Sequence, residues 1–514
     1  MDQPLPASLF ELLKKQEHMS SSTPRIVIVG AGPGGLASAM ILKRRGYDVT
    51  LIERQSRVGG RTGAIEAEGY TFDIGPTFFL YPRILSEIFT YCGYDLWREV
   101  PIKRVEPMYR VVHEQGGHLD VVSGEEAMKA EIAKLSPADA ENLERYMRDN
   151  RKKLEKFRTV LEKPFASMAD FLRPDVLKAL PWINPQRSLE QDLERYFKDP
   201  RVRRAFSFQA KYLGMSPFKC PSLFTILAFL EHEYGIWHPV GGCTAVMQRM
   251  GEIAVEMGVH LKLEEEVKSI GFDGKRAKSI TTDKDTYELD GLVMNADFAH
   301  VLPKLVPNEM RKTWNDRKIA KREFSCSTFM LYLGLEGKLD NVPHHTIVLS
   351  EDFDGNIDEI QTKKVLPKSP SFYVQNGCIT DETLAPKGHS TLYVLVPVPH
   401  RTPNVDWKKE AAGFREKTLD RLSLMGIPDI RNRIRYEKMV TPDDWEADMH
   451  IYKGATFNMS HTLDQMLCFR PHNRFEDLER VYLVGGGTHP GSGLPVIFES
   501  ARITSELLNQ DIAV

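Results

Sequence analysis

"TPRIVIVGAGPGGLASAMILKRRGYDVTLIE", residues 23 to 53, decides the fold. Arg25 to Val29 is a β-branched apolar run, an Ala/Leu-rich helical pattern follows the glycines, and Asp48 to Ile52 returns to strand character. Strand, turn, helix and strand within about thirty residues make a βαβ unit. Gly30, Gly32 and Gly35 stand in G-x-G-x-x-G spacing. The first permits a tight turn, the second lets a pyrophosphate approach the backbone, and the third lets helix and strand pack closely, with phosphate at the helix N-terminus. Glu53, twenty-three residues after Gly30, ends the second strand where a carboxylate accepts from ribose hydroxyls. The expected fold class is α/β with a Rossmann-like dinucleotide domain.

A chain of 514 residues, 42% apolar and 27% charged, has room for about three domains of ordinary globular composition. The formal net charge of −3 supplies no basic field, so no nucleic-acid partner is expected. Cys92, Cys220, Cys243, Cys326, Cys378 and Cys468 show no C-x-x-C spacing, which predicts reduced thiols in a cytoplasmic protein and no metal site. No apolar run approaches the ~18 residues of a spanning helix. Residues 1 to 23 form an arm with an acid at position 2 and no continuous apolar core, so secretion is not expected. Leu9, Phe10, Leu12 and Leu13 give that arm a second reading as an amphipathic surface anchor.

Three stretches between 125 and 235 read as long charged helices: "DAENLERYMRDNRKKLEKFRTVLEK", "SLEQDLERYFKDPRVRRAFSFQAKYLGM" and "PSLFTILAFLEHEYG". Beyond them, residues 260 to 296 alternate in strand period around the turn "FDGK", a small meander ending in a buried strand. "CSTFMLYLGL" and "STLYVLVPVPH" read as further strands. The chain ends on "VYLVGGGTHPGSGLPVIFESARI", residues 481 to 503: an apolar run, two glycine turns and a helical pattern.

Residues 54 to 79, "RQSRVGGRTGAIEAEGYTFDIGPTFF", separate one kind of dinucleotide from another. Gly59, Gly60 and Arg61 resemble the second glycine motif that follows the ribose acid in the flavin amine oxidase and phytoene desaturase superfamily. Residues 206 to 242, 369 to 400 and 469 to 495 are similar to bacterial-type phytoene desaturases and their C30 relatives, the diapophytoene or dehydrosqualene desaturases. The likeness runs from Pro24 to the C-terminus.

This resemblance implies FAD and a long-chain isoprenoid or carotenoid substrate. It also implies quinone or oxygen as electron acceptor and peripheral attachment of a cytoplasmic protein to a membrane surface. It divides the chain into an arm (1–23), FAD-binding parts at 24–105, 237–300 and 475–514, substrate-domain strands at 106–125, a helical membrane-associated insertion at 126–236 and a β-sheet substrate domain at 301–474. The cofactor-binding residues it implies are Gly30, Gly32, Gly34, Gly35, Glu53, Arg54, Gly59, Gly60, Arg61, Gly75, Pro76, Thr77, Val267, Asn295, Gly486, Gly487, Leu494, Pro495 and Val496. The "DIGPT" segment, Asp73 to Thr77, would lie near the flavin ring. Gly487–Thr488 replaces the acid that many members carry, which leaves that contact to backbone N–H groups. The helix opening at Leu494 would present its positive end where charge develops on reduction.

No H-E-x-x-H or G-x-S-x-G motif is present, and removing two hydrogens from a hydrocarbon needs a hydride acceptor more than a strong base. The expected reaction is hydride transfer from an allylic CH₂, then proton loss to water, a carboxylate or the reduced flavin. Glu231, ending "LFTILAFL", is the candidate carboxylate; its alternative is a solvated helix-end acid. His344 and His345 read as a solvated turn, with a site pair as the alternative, Trp237 and His238 as lining the entrance to the cofactor domain, and His489 as either a cofactor contact or a turn cap. Tyr212, Phe218, Phe224 and Phe229 read equally as core or tunnel wall. The basic run "MRKTWNDRKIAKR" (310–322) reads as a solvated helix face or a lipid contact. On the same scaffold stand carotenoid oxidation, saturation and isomerisation, amine oxidation, and prenyl-chain carriage without catalysis.

Overall fold

The computed structural model describes residues 23–184, 186–427 and 429–514, together with the side chains of all but a few of them. The arm before residue 23 and the side chain of Tyr212 lie outside the described set.

Five strands from distant parts of the chain form one parallel sheet in the order His260–Lys262, Asp48–Ile52, Arg25–Val29, Gly291–Met294, Val481–Leu483. Ile28 sits between Leu51 and Val293, and Val293 in turn faces Tyr482. The sheet therefore joins the opening βαβ unit to the last strand, as expected of a discontinuous domain. The helix Pro33–Arg44 packs on the final helix Leu494–Asp511 and on Cys243–Glu256. Leu36, Met40, Val246, Phe498 and Leu508 share that core. The meander forms as the alternation predicts, from Val267–Asp273, Arg276–Thr282 and Thr286–Glu288, and leads into the fully buried strand Gly291–Met294.

A second, mostly antiparallel sheet has seven strands in the order Ile434–Val440, Ser327–Glu336, His389–Val398, Phe372–Gln375, His345–Leu349, Tyr109–His113, His118–Val121. Its two ten-residue strands are buried almost throughout because both faces are covered. Trp407 and Phe414 of the helix Trp407–Arg421 pack on one face, and Tyr70, Phe72 and Trp445 on the other.

The helical region departs from the long helices expected. Leu143–Leu161 is one helix of 19 residues, but the next stretch breaks into Leu189–Leu193, Pro200–Ala205 and a 3₁₀ turn at Phe208–Leu213. Asp199 starts a new helix there, its carboxylate accepting from the Arg201 N–H at 2.8 Å, with Pro200 at the first helical position. The basic run 310–322 is not a helical face: only Asp316–Ala320 is helical. Arg311 is 0% exposed and donates to the carbonyls of Val306 (2.9 Å) and Trp314 (2.7 Å) and to Asp316 (2.6 Å). Trp314 is buried too, so the aromatic and one of the six basic residues of the run are structural, while Lys312, Arg317, Lys318 and Lys321 remain exposed. Among the described residues no helix is long and apolar enough to cross a membrane, and no cluster of His, Cys, Asp or Glu suits a metal ion.

Candidate functional site

A cavity of about 610 Å³ runs from the carboxyl ends of the parallel sheet into the helical region. Its polar end is built on the first glycine turn. Gly30 adopts φ +97°, its N–H donates to Ile52 O (2.7 Å), and its carbonyl accepts from Asn295 Nδ2 (2.9 Å). A β-carbon on Gly35 would sit 2.0 Å from the Gly30 carbonyl oxygen, and one on Gly34 would sit 2.6 Å from Asn295 Oδ1. Gly32 caps the helix without a side chain, and Pro33 follows at the first position. The first-turn N–H groups are left for an anion.

Glu53 projects from the neighbouring strand end, where Oε2 accepts from Ala31 N (2.9 Å) and Oε1 from Gln55 N (3.0 Å). Burial pushes its carboxyl upward, against those two backbone bonds. Arg61 donates to Thr456 O (2.9 Å) and Asn458 Oδ1 (3.3 Å), and Asn458 donates to Asp297 (2.7 Å). Burial lowers the Arg61 guanidinium while Asp297 works the other way, so the cavity holds a cation whose nearest carboxylate is one side chain removed.

Of the implied cofactor residues, Gly30, Gly32, Glu53, Arg54, Gly60, Arg61, Gly75, Pro76, Thr77, Val267, Asn295, Gly486, Gly487, Leu494, Pro495 and Val496 all line this cavity. Gly34, Gly35 and Gly59 stand behind the wall and shape it. Asp73 turns away: its carboxylate accepts from Cys243 N (3.1 Å) and Thr244 N (3.2 Å) at a helix N-terminus, and burial pushes it up to about 6. The final helix begins at Leu494 after Gly493 (φ +111°), with its uncapped first turn on the wall.

Leu154, Phe157, Phe224, Leu227 and Leu230 line the apolar end, with Tyr373 and Leu395 of the seven-stranded sheet. Phe224 is thus wall, Phe229 is core and Phe218 is largely exposed. Glu231 is neither solvated nor on the wall. It is 0% exposed, accepting from Tyr109 OH (2.9 Å) and Gln209 Nε2 (2.8 Å), and ties its helix to the sheet. His344 and His345 are buried as well, not a solvated turn. His238 and Trp237 do not line the entrance: His238 pairs with Asp381 (3.2 Å) and Trp237 packs on Trp97. His489 neither faces the cavity nor caps its own turn; Nε2 donates to Lys163 O (3.0 Å) and binds the helical region to the closing turn.

Sequence reasoning missed Glu499, a buried carboxyl on the wall beside Arg502 (3.2 Å), pushed up to about 7 by burial. It sits in an amphipathic helix pattern that gives no hint of a cavity. It also missed Tyr373, which reads as an ordinary strand aromatic.

The family model described as flavin containing amine oxidoreductase matches residues 33–509. The chain belongs to that family. Its cofactor is FAD, and the cavity fits one: Thr456 Oγ1 and His461 Nδ1 are buried on the wall with no hydrogen-bond partner among the described residues. Relatives of this flavoprotein include a 4,4'-diapophytoene desaturase (4,4'-diapolycopene-forming) of Methylomonas sp, 43% identical over 95% of this chain and 96% of that one. An all-trans-zeta-carotene desaturase of Myxococcus xanthus is 36% identical over 95% of this chain and 94% of its own. The structure of an oxidoreductase from Methanosarcina mazei matches with a TM-score of 0.64 at 18% identity, covering 94% of this chain and all of that one, a likeness of fold.

Proposed function

We propose that the protein is an FAD-dependent desaturase that introduces conjugated double bonds into a long isoprenoid chain, a C30 squalene-derived one. One observation carries the reading: the cavity continues from a dinucleotide end into an apolar end walled by Phe157, Phe224, Leu227 and Leu230. A wall made mainly of apolar side chains suits a hydrocarbon. The 43% identity to a diapophytoene desaturase supports the C30 choice.

The bound flavin supplies hydride acceptance. Around it, the Gly30–Gly35 turn binds pyrophosphate through backbone N–H groups, Glu53 accepts from ribose hydroxyls, and Arg61 meets phosphate. The first turn of the final helix places positive dipole where charge accumulates. Arg54, Val267 and Asn295 complete the dinucleotide wall, and the helical region excludes water from the reacting carbons.

Peripheral membrane attachment belongs to the same reading. The helix Pro174–Ile183 buries Val176 and Ala179 yet turns Leu177 and Leu180 outward, beside Leu172 at 73% exposed and Met168 at 62%. Apolar residues on both faces of one helix need a second apolar phase. The electron acceptor is a quinone or oxygen.

The test is a product assay. FAD-loaded protein with a quinone or oxygen, offered dehydrosqualene, squalene and phytoene in liposomes, is expected to convert a C30 substrate with red-shifted absorbance and loss of two hydrogens per double bond. Conversion of phytoene alone overturns the chain length, and peroxide release from amines alone overturns the reaction class.

A further inference from the structure

Thr77 and Tyr373 both line the cavity, with their hydroxyls 2.7 Å apart. The Tyr373 hydroxyl also lies 2.7 Å from His345 Nδ1. Phe78, another wall residue, stacks on the His345 ring at a centroid distance of 3.9 Å and 12° between planes. His345 is thereby sealed behind the wall at 0% exposure, with Tyr373 as its hydrogen-bonded link to the cavity. Its Nε2 meets no hydrogen-bond partner among the described residues.

Behind it, the His345 ring contacts His344 (4.4 Å) and His344 contacts His238 (4.7 Å). His238 Nε2 pairs with Asp381, which also accepts from Gly241 N (2.6 Å) and Thr383 Oγ1 (2.6 Å). Burial works upward on Asp381, yet the bonds from His238, Thr383 and Gly241 hold it well below the usual carboxylate range. Three buried imidazoles ending on one carboxylate are expensive as packing, since apolar side chains of similar volume would need no partners. Nothing in dinucleotide binding uses them.

We propose that Tyr373 and His345 take up the proton that the substrate releases, with Tyr373 as the cavity-facing acceptor and His345 as the base behind it. This rests on the desaturase reading. Bound FAD would supply the acceptor for one allylic hydrogen with its electron pair. The adjacent carbon then loses a proton, and that C–H electron pair becomes the new π bond. The proton joins the Tyr373 oxygen as the hydroxyl's own proton passes to His345 Nδ1, leaving a neutral phenol and an imidazolium. His344 packs on the ring from behind, and the row ends at His238 on the negative charge of Asp381. Burial keeps the Tyr373 hydroxyl protonated and His345 neutral before the step, so one has a proton to pass and the other a lone pair to take it. Glu499, also on the wall, is held by Arg502, and Glu231 does not reach the cavity.

The test compares wild type with Tyr373→Phe and His345→Gln, FAD-loaded, using substrate deuterated either at the hydride-giving or at the proton-losing carbon. Turnover is expected to fall roughly 10²-fold, within the range of one general base, with FAD content unchanged. The isotope effect at the proton-losing carbon should grow and that at the hydride-giving carbon should shrink. Turnover retained, or lost with both isotope effects at their wild-type values, overturns the proposal. In the resting protein the ¹⁵N resonances of His345 should shift in Tyr373→Phe; unmoved resonances remove the contact on which the relay depends. A wild-type chain that desaturates no isoprenoid overturns the functional reading, and this inference falls with it, whereas failure of the variants alone leaves that reading standing.

Discussion

Glu499 faces the cavity with Arg502 at 3.2 Å, and Glu87 and Glu162 add repulsion to the burial that raises its carboxyl from 4.5 to about 7. The folded chain therefore keeps a proton there that the unfolded chain has already lost between about pH 4.5 and 7. Stability from this residue is whole below the lower value and falls as pH rises through the upper one, because the unfolded state binds fewer protons across the window. Glu499→Gln should leave stability near its wild-type value at pH 4.5. At pH 8 it should be more stable by at most roughly 3 kcal/mol. Arg502 keeps a partner in the variant, since Glu87 lies 2.9 Å away. Denaturant midpoints of both proteins at the two pH values measure the effect, and an equal difference at both would sink it. Asp73, raised to about 6, adds a slope of the same sign that the substitution leaves in place.

Helix starts, not helix middles, build the dinucleotide end, and two of them come from opposite ends of the chain. A β-carbon at Gly35 meets the Gly30 carbonyl at 2.0 Å, and one at Gly487 meets Phe298 Cδ1 at 2.7 Å. If one cofactor spans both turns, Gly35→Ala and Gly487→Ala should each weaken FAD retention by at least about tenfold, or about 1.4 kcal/mol. The ratio of flavin to protein absorbance after dialysis reads this out, and full retention in Gly487→Ala would separate the two ends. These elements were legible because glycine spacing, strand period and helix period are local. The breaks at Asp199–Pro200, the burial of Arg311 and the interior place of His344–His345 were not. The first depends on a cap that competes with a continuous helical pattern, the second on acceptors three to five residues away that a continuous helix would not bring to one guanidinium, and the third on partners far along the chain. Asp381 reaches His238 across 143 positions, and Glu231 reaches Tyr109 across 122. A polar residue's periodicity carries no record of such a partner.

At the scale of the whole molecule, one region both lines the cavity and bears the outward apolar surface. Leu154 and Phe157 of the helix Leu143–Leu161 line the apolar end, and that helix packs on Pro174–Ile183. Leu172, Leu177, Leu180 and Met168 face outward there, and Cys468 approaches Met168 at 3.7 Å, setting the half-exposed Phe469 beside them. A hydrocarbon substrate partitions into lipid, so a surface that seats on a bilayer next to the cavity spares it passage through water. The basic run 310–322 exposes Lys312, Arg317, Lys318 and Lys321 but no large apolar side chain to seat in lipid, because Trp314 is occupied inside the fold. Leu172→Ser with Leu177→Ser and Leu180→Ser should therefore release the protein from liposomes in flotation, while neutralising Lys312, Lys318 and Lys321 should change flotation little. Each exposed leucine removed from lipid costs up to roughly 1.5–3 kcal/mol, so the triple change should lower partitioning by at least about tenfold at equal lipid. Activity should divide the same way: turnover on substrate held in liposomes falls, and turnover on detergent-dispersed substrate stays near wild type. Flotation unchanged by the leucine substitutions but lost with the lysines would move the membrane contact to the basic run.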